Sequence, residues 1–199
     1  AAILTLAVVI WMGTEATAQS KKSKFKGEHA AFHKGSNALY LGLGVGIGYG
    51  YYGDINTLPA FLIAFDHGIV DNVGPGNIGL GGILAVKAAT YNYSTGGYRA
   101  IWRNYLIGLR GTWHLTVLAD KNNRFDPYAG VTIGARISSY EDSYYNLNPA
   151  YTNPYNDRRV APIGGGFIGL KYNFARSAGV FAEAGYDISL FRAGLSINF

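Results

Sequence analysis

His114 and Thr116 are the pair of side chains whose types and spacing come nearest to a catalytic arrangement. In a β-strand, residues two apart share a face, so the imidazole could accept the proton of the threonine hydroxyl. The chain has no Cys, no Gly-x-Ser-x-Gly and no His-Glu-x-x-His segment, which excludes thiol chemistry and two common hydrolase motifs. His29 and His33 have no third ligand nearby in the sequence. We therefore predict a structural His114, no enzyme activity, no cofactor and no metal.

Charged side chains that alternate with apolar ones form the second candidate set. In period-two segments they would all lie on the face opposite to the apolar one. The set comprises Lys87, Arg110, Arg136, Lys171, Glu183 and Arg192, with Asp66 and Asp187. Inside a narrow barrel such charges must be paired or hydrated. Two interpretations are open: a salt-bridge network around Glu183 that fills the lumen, or a gated ion path.

Glycine occupies every second position from Gly42 to Gly50, which could be mistaken for a phosphate-binding loop. The strict period of two, without a following helix, argues against that interpretation. Apolar residues fill the alternate positions from Leu39 to Ile47, so the pattern predicts a strand that begins at Asn37. Its length exceeds the roughly 5–6 residues of a globular strand and suffices to cross a membrane, which takes about 9–11.

The elements that position these side chains are about eight such segments. They cover residues 37–52, 58–69, 78–91, 104–118, 127–140, 160–175, 179–187 and 190–199. Charged residues make up only 15% of the chain, against roughly 25% in soluble domains, yet the mean hydropathy of +0.07 is too low for a helical membrane protein. An all-β, antiparallel, up-and-down transmembrane β-barrel satisfies both observations, because every second residue faces lipid and the others face a polar lumen.

The region before Asn37 divides into two parts. Residues 1–18 contain an apolar run and then Ala16-Thr17-Ala18, which predicts a signal peptide truncated at its start. Residues 19–36 are basic and predict a solvated periplasmic linker, or alternatively a tether that contacts anionic lipid or cell-wall polymer. Nucleic acid is not an expected partner, since no aromatic stacking face accompanies the positive charge. Residues 37–199 would form the barrel.

The connection at 141–159 is the longest predicted loop and is rich in tyrosine and asparagine. Its tyrosines include Tyr144, Tyr145, Tyr151 and Tyr155, a composition also favoured in binding loops. The alternative is that these rings belong to an interfacial aromatic girdle or pack the loop on itself. With a periplasmic N-terminus, this loop would be extracellular, as would the connections at 52–57, 92–103 and 187–189. The turns at 71–77, 120–126 and 175–178 would be periplasmic.

The last strand alternates from Leu190 to Phe199 and resembles the closing strand of bacterial outer-membrane β-barrels, which the barrel-assembly machinery reads as a signal. In that family a polar residue is followed by Gly and then by hydrophobic or aromatic residues. Those roles fall here on Arg192, Gly194, Ile197 and Phe199, with Ile197 in place of the commoner aromatic.

From about Asn37 onward the chain resembles the small outer-membrane protein A-like and opacity-type, porin-like barrels. The segment 126–134 and the hairpin that joins 169–174 to 181–186 carry this resemblance. It implies a Gram-negative outer membrane, with lipid and lipopolysaccharide as surroundings. It implies no single activity, because such barrels serve as tethers, adhesins, pores and enzymes.

Three functions follow from this reading of the sequence. We expect a structural or surface-interaction, adhesin-like barrel whose loops bind a host or surface protein. The alternatives are a small passive pore and, since His114-Leu-Thr116 faintly resembles the His-x-Ser pair of the lipid A deacylase barrels, a lipid-modifying enzyme.

Overall fold

Nine strands make up most of the computed structural model, which describes residues 31–46, 56–94, 96–118, 124–147 and 158–199. The strands are β1 (Asn37–Val45), β2 (Asn56–Thr57), β3 (Ala60–Val73), β4 (Gly76–Asn92), β5 (Arg99–His114), β6 (Phe125–Asp142), β7 (Arg159–Asn173), β8 (Ala178–Gly185) and β9 (Phe191–Asn198). A single 3-10 turn (Thr116–Leu118) and one short helix, α1 (Ser143–Leu147), complete the described secondary structure. No helix within these ranges is long and apolar enough to cross a membrane.

The strands form one antiparallel sheet that closes on itself. β1 pairs with β3 on one side and with β9 on the other, and β4 pairs with β5. The short β2 pairs with β4 beyond the end of β3, so it extends that strand and the wall has eight strands. Closure leaves no unpaired edge. The predicted all-β, up-and-down barrel is confirmed.

Side chains alternate between the two faces of the wall as the period of two predicts. Inside β1, Tyr40 is fully buried, whereas Leu41 and Leu43 are exposed on the outside. The outward face carries large apolar residues all round the barrel, including Phe61, Ile63, Leu84, Ile107, Leu109, Val131, Ile133, Ile168 and Leu195. The inward face carries a small apolar core and most of the buried charges.

Several strand bounds differ from the prediction. Residues 71–77 were expected to be a turn, but β3 and β4 continue to a tight connection at Gly74-Pro75, where Asn72 and Gly74 adopt positive φ. β5 ends at His114 rather than Leu118. The amide of Leu115 still donates to the Pro127 carbonyl, 2.8 Å, but Pro127 has no N–H to return, so the ladder stops there.

The two ends of the barrel are distinct. The terminal end, as we call it, holds Phe32, Asn37 and Phe199, and the backbones of Asn37 and Phe199 exchange two hydrogen bonds there. The loop end is the opposite one and carries the connection 93–98 and helix α1. Predictions for the signal peptide, for most of the basic linker, and for Tyr151 and Tyr155 lie outside the described residues.

Candidate functional site

Glu183 lies at the centre of a cluster of buried charges in the middle of the lumen. Its carboxylate accepts from Arg110 Nη2 at 2.7 Å, from Tyr128 Oη at 2.7 Å and from Arg192 Nε. Arg110 also pairs with Asp66 at 2.9 Å, and Arg192 pairs with Asp187 at 2.6 Å. All these charged side chains are nearly or fully inaccessible to solvent. Each charge therefore has at least one oppositely charged partner, as burial requires.

This cluster spans the lumen, because its members come from well-separated strands. Asp66 is on β3, Arg110 on β5 and Glu183 on β8, and at least one strand of the ring lies between each pair. The Arg110 guanidinium also lies 4.4 Å from the ring centroid of Phe167 on β7. The side chains thus fill the cross-section at this level.

A second layer closes the terminal end, and Phe32 forms its centre. The Phe32 ring stacks on His114 with centroids 3.8 Å apart, and its carbonyl accepts from Asn77 Nδ2 at 2.7 Å. Asp126 holds His114 Nδ1 at 2.8 Å and Lys171 Nζ at 3.0 Å. The expectation of a solvated linker is therefore wrong for Phe32, which gains more by burying its ring under the barrel than by remaining in water.

A third layer comes from the connection between β8 and β9. We expected residues 187–189 to be a short loop outside the barrel, but Asp187, Ile188 and Ser189 are buried in the lumen. Glycines make the space: a Cβ on Gly44 would collide with Ser189, and one on Gly165 would collide with the backbone of Tyr186.

Comparisons with known proteins agree with this architecture. The crystal structure of Ail, the attachment invasion locus protein of Yersinia pestis, in complex with the heparin analogue sucrose octasulfate, matches with a TM-score of 0.51 and 12% identity, over 83% of this chain and 99% of that one. The outer membrane protein OprG from Pseudomonas aeruginosa matches with a TM-score of 0.51 and 10% identity, over 85% and 99%. This chain has the fold of the small eight-stranded outer-membrane β-barrels. No protein-family model and no curated protein matches it.

The exterior of this outer-membrane-type barrel has aromatic residues toward both ends of its apolar band. Trp113, Phe125, Phe174 and Phe199 lie toward the terminal end, and the Phe199 ring is 6.5 Å from that of Phe65. Toward the loop end, Phe61 and Phe191, near the starts of β3 and β9, are exposed on the same outer face. Barrels of this fold carry such girdles where the apolar band meets the lipid headgroups.

The loop end of the barrel bears a cavity of about 480 Å³ with five tyrosines in its lining. They come from two connections that lie side by side: Tyr91, Tyr93 and Tyr98 flank the first, and Tyr144 and Tyr145 belong to α1. Arg99 N donates to Ser143 Oγ at 2.7 Å and so ties the two connections together.

Asp142 is buried next to the tyrosine cavity and holds two of its tyrosines by hydrogen bonds. Its carboxylate accepts from Tyr93 Oη at 2.6 Å, from Tyr140 Oη at 2.8 Å and from the Tyr144 amide at 2.9 Å. The hydrogen bond to Asp142 raises the pKa of Tyr93 to about 12. The Tyr93 phenol is therefore neutral at physiological pH.

The structure separates the sequence-predicted charged set into groups. Arg110, Glu183 and Arg192 lie together in the middle layer, and Lys171 belongs to the terminal layer. Lys87 is buried nearer the loop end and donates to the Gly46 carbonyl. The expectation that Glu183 also binds Arg136 is wrong for the described residues, since the ion pairs of Glu183 are with Arg110 and Arg192. Arg136 on β6 lies several residues further toward the loop end than Tyr128, which does contact Glu183.

The possible catalytic pair is not assembled. His114 is buried between Phe32 and Tyr128, whereas Thr116 lies in the 3-10 turn and its hydroxyl donates to the Pro75 carbonyl at 3.0 Å. Because β5 ends at His114, the two side chains do not share a strand face. Among the described residues there is also no group of three side chains that could hold a metal ion.

Sequence reasoning missed Phe32, Asp126 and Asp142 as members of these sites. Asp126 was assigned to a turn and Asp142 to a loop, since neither has a periodic signal around it. The density of tyrosine between Tyr91 and Tyr98 was a usable signal for the cavity, but that segment was interpreted only as a connection.

We expect refolded residues 20–199 to show no steady conductance in planar bilayers, because three layers of side chains fill the lumen. Phe32→Ala alone should leave the current near zero, since the middle layer remains. Step-like currents through the wild-type barrel would contradict this and would favour the gated ion path. Arg103→Ala at the exposed Arg103–Glu141 pair is the control.

Proposed function

We propose that this chain is an outer-membrane barrel that binds a partner at the cell surface through its loop end, while its lumen stays closed. The observation that carries the proposal is the tyrosine-lined cavity shared by two connections at one end of a filled barrel. Tyrosine offers a large contact area at low entropic cost, which suits recognition. The loop end would be extracellular and the terminal end periplasmic.

The distribution of side chains supports the membrane location. Large apolar residues lie outside and charged ones inside, the reverse of a soluble domain. Lipid and lipopolysaccharide would contact the apolar band. In β9, Arg192 faces the lumen, Ile197 faces outward, and Gly194 lies against the backbone of Leu41. Phe199, directly after β9, is also exposed on the outside. We propose that these four residues of the last strand serve as the assembly signal.

The Ail structure has a heparin analogue bound, but its resemblance to this chain is one of fold. A sulfated ligand calls for clustered Arg or Lys side chains. The cavity at the loop end is lined, among the described residues, by tyrosine, serine and glycine. The proposal of a surface partner therefore rests on the tyrosines of this chain and not on that ligand.

The test is replacement of residues 143–158 by a short Gly/Ser linker in cells that display the barrel. We expect binding to host cells, matrix or partner protein to be lost, because Tyr144 and Tyr145 are removed from the cavity and Tyr151 and Tyr155 go with them. The barrel should still migrate faster on unboiled than on boiled gels, since β6 and β7 remain paired.

Two sets of point substitutions show whether the cavity tyrosines themselves are needed for binding. Tyr144→Ala with Tyr145→Ala removes two rings of the cavity, whereas Tyr105→Ala removes an exposed ring from the outer face of β5. Only the first should reduce surface binding. If every surface phenotype survives the loop replacement in a folded barrel, the adhesin-like role is wrong and a structural barrel remains.

A further inference from the structure

The rings of the loop-end cavity stand at right angles to one another. Tyr98 and Tyr144 have centroids 5.0 Å apart at 84°, and Tyr144 and Tyr145 are 5.5 Å apart at 87°. On the other side, Tyr91 and Tyr93 are 5.2 Å apart at 76°. Each pair is in edge-to-face contact, and together the pairs line the walls of one box-shaped cavity, so more than one ring can contact the same guest.

The described lining residues of this box carry no charge, and a carboxylate lies next to them. The Asp142 carboxylate lies behind two of its walls, bonded to the Tyr93 hydroxyl and to the Tyr144 amide. Within the described part of the chain no Lys or Arg lines the cavity. Of the arginines near it along the chain, Arg103 is paired with Glu141 at 2.8 Å, and Arg99, next to Tyr98, is exposed and lies outside the lining. The electron-rich faces of neutral tyrosines attract cations.

We propose that the cavity binds a quaternary ammonium group, the cationic part of a choline-type ligand. Such a cation gains from several ring faces at once and needs no hydrogen bonds, because it has no N–H to satisfy. An anionic ligand would find no basic side chain among the described lining residues. A sugar would need several hydrogen-bonding partners for its own hydroxyls, and among the described lining residues Ser94 is the only non-aromatic polar side chain.

This inference rests on the proposed surface-binding function and names the chemistry of its ligand. The cavity of about 480 Å³ is larger than one trimethylammonium group, so it has room for the atoms attached to it. Free choline and the headgroup of a choline phospholipid share this chemistry. The soluble probes choline and glycerophosphocholine distinguish these two sources.

The experiment is calorimetric titration of residues 20–199, refolded in a polyoxyethylene detergent that carries neither choline nor sugar. The probes are choline, glycerophosphocholine, N-acetylglucosamine and 3,3-dimethylbutanol, which has the shape of choline without its charge. We expect saturable binding of choline with a Kd of about 1 mM or tighter, and at least about tenfold weaker binding of the neutral isostere.

Variants at one wall test the geometry. Tyr98→Ala should weaken choline binding by between about twofold and thirtyfold, and Tyr98→Phe should restore most of it, because the ring face and not the hydroxyl carries the attraction. Tyr105→Ala on the lipid-facing side should change nothing. Faster migration of unboiled samples establishes that each variant is folded.

The possible outcomes separate this inference from the proposed function. Equal binding of choline and dimethylbutanol, preference for N-acetylglucosamine, or no binding of any probe would each overturn the ammonium site. In each of those cases, loss of surface binding on replacement of residues 143–158 would still support the proposed function. Binding of choline without glycerophosphocholine would keep the site and assign it to the free cation.

Discussion

Replacing Glu183 with Ala is expected to lower the free energy of unfolding of the refolded barrel by about 3–5 kcal/mol. The Glu183 carboxylate compensates both Arg110 and Arg192 and accepts from Tyr128. Removal of its charge leaves two guanidinium groups inside the wall with less compensation than their burial requires. Water that enters the space would reduce the cost.

The measurement is the temperature at which half the sample loses the fast-migrating, heat-modifiable form. Glu141→Ala is the matched control, since it also removes one carboxylate from an arginine pair but at a site open to solvent. Exposed pairs contribute about 0–1 kcal/mol, so this variant should melt near the wild type. Equal melting of both variants would show that the lumen cluster does not stabilise the barrel.

Replacing Leu109 with Arg is expected to cost about 2–4 kcal/mol in a lipid bilayer. Leu109 lies on the outward face of β5, 61% exposed, in the apolar band between the aromatic ends. If lipid surrounds this band, the arginine must bring its charge into hydrocarbon or pull headgroups and water toward it.

Leu118→Arg is the matched control, because Leu118 is about as exposed as Leu109, at 63%, but lies in the 3-10 turn beyond the end of β5. Its arginine would meet headgroups or water at little cost. Equilibrium refolding into vesicles in urea measures both variants. If Leu109→Arg and Leu118→Arg fold with the same free energy, the proposed membrane position of the band is wrong.

The alternation of residue types was enough to predict the barrel and the facing of its strands. In β1 the apolar residues at odd positions and the glycines at even ones allow only one orientation, with Leu41 and Leu43 outward. A slip of one residue in the pairing of β1 would place that whole apolar set inside the barrel and its glycines outside. The period of a strand is a local property, and the sequence shows it directly.

Which of the inward charges contact one another was harder to predict. Sequence analysis placed Arg110, Glu183 and Arg192 on the inward face, and the structure brings them into contact. It could not exclude Arg136, since which inward residues share a level depends on the stagger between strands. That stagger is a property of the closed sheet and of no single strand.

The sequence by itself therefore determined the barrel, its inward charges and its outward apolar band. Only the tertiary structure decided that Phe32 and the connection 187–189 fill the lumen, and that Asp142 draws Tyr93 and Tyr144 into one cavity wall. These contacts join segments with no periodic pattern, and they form because closing the ring brings each segment to one of the two openings of the barrel. Each then buries an aromatic ring or pairs a polar group there that would otherwise meet water.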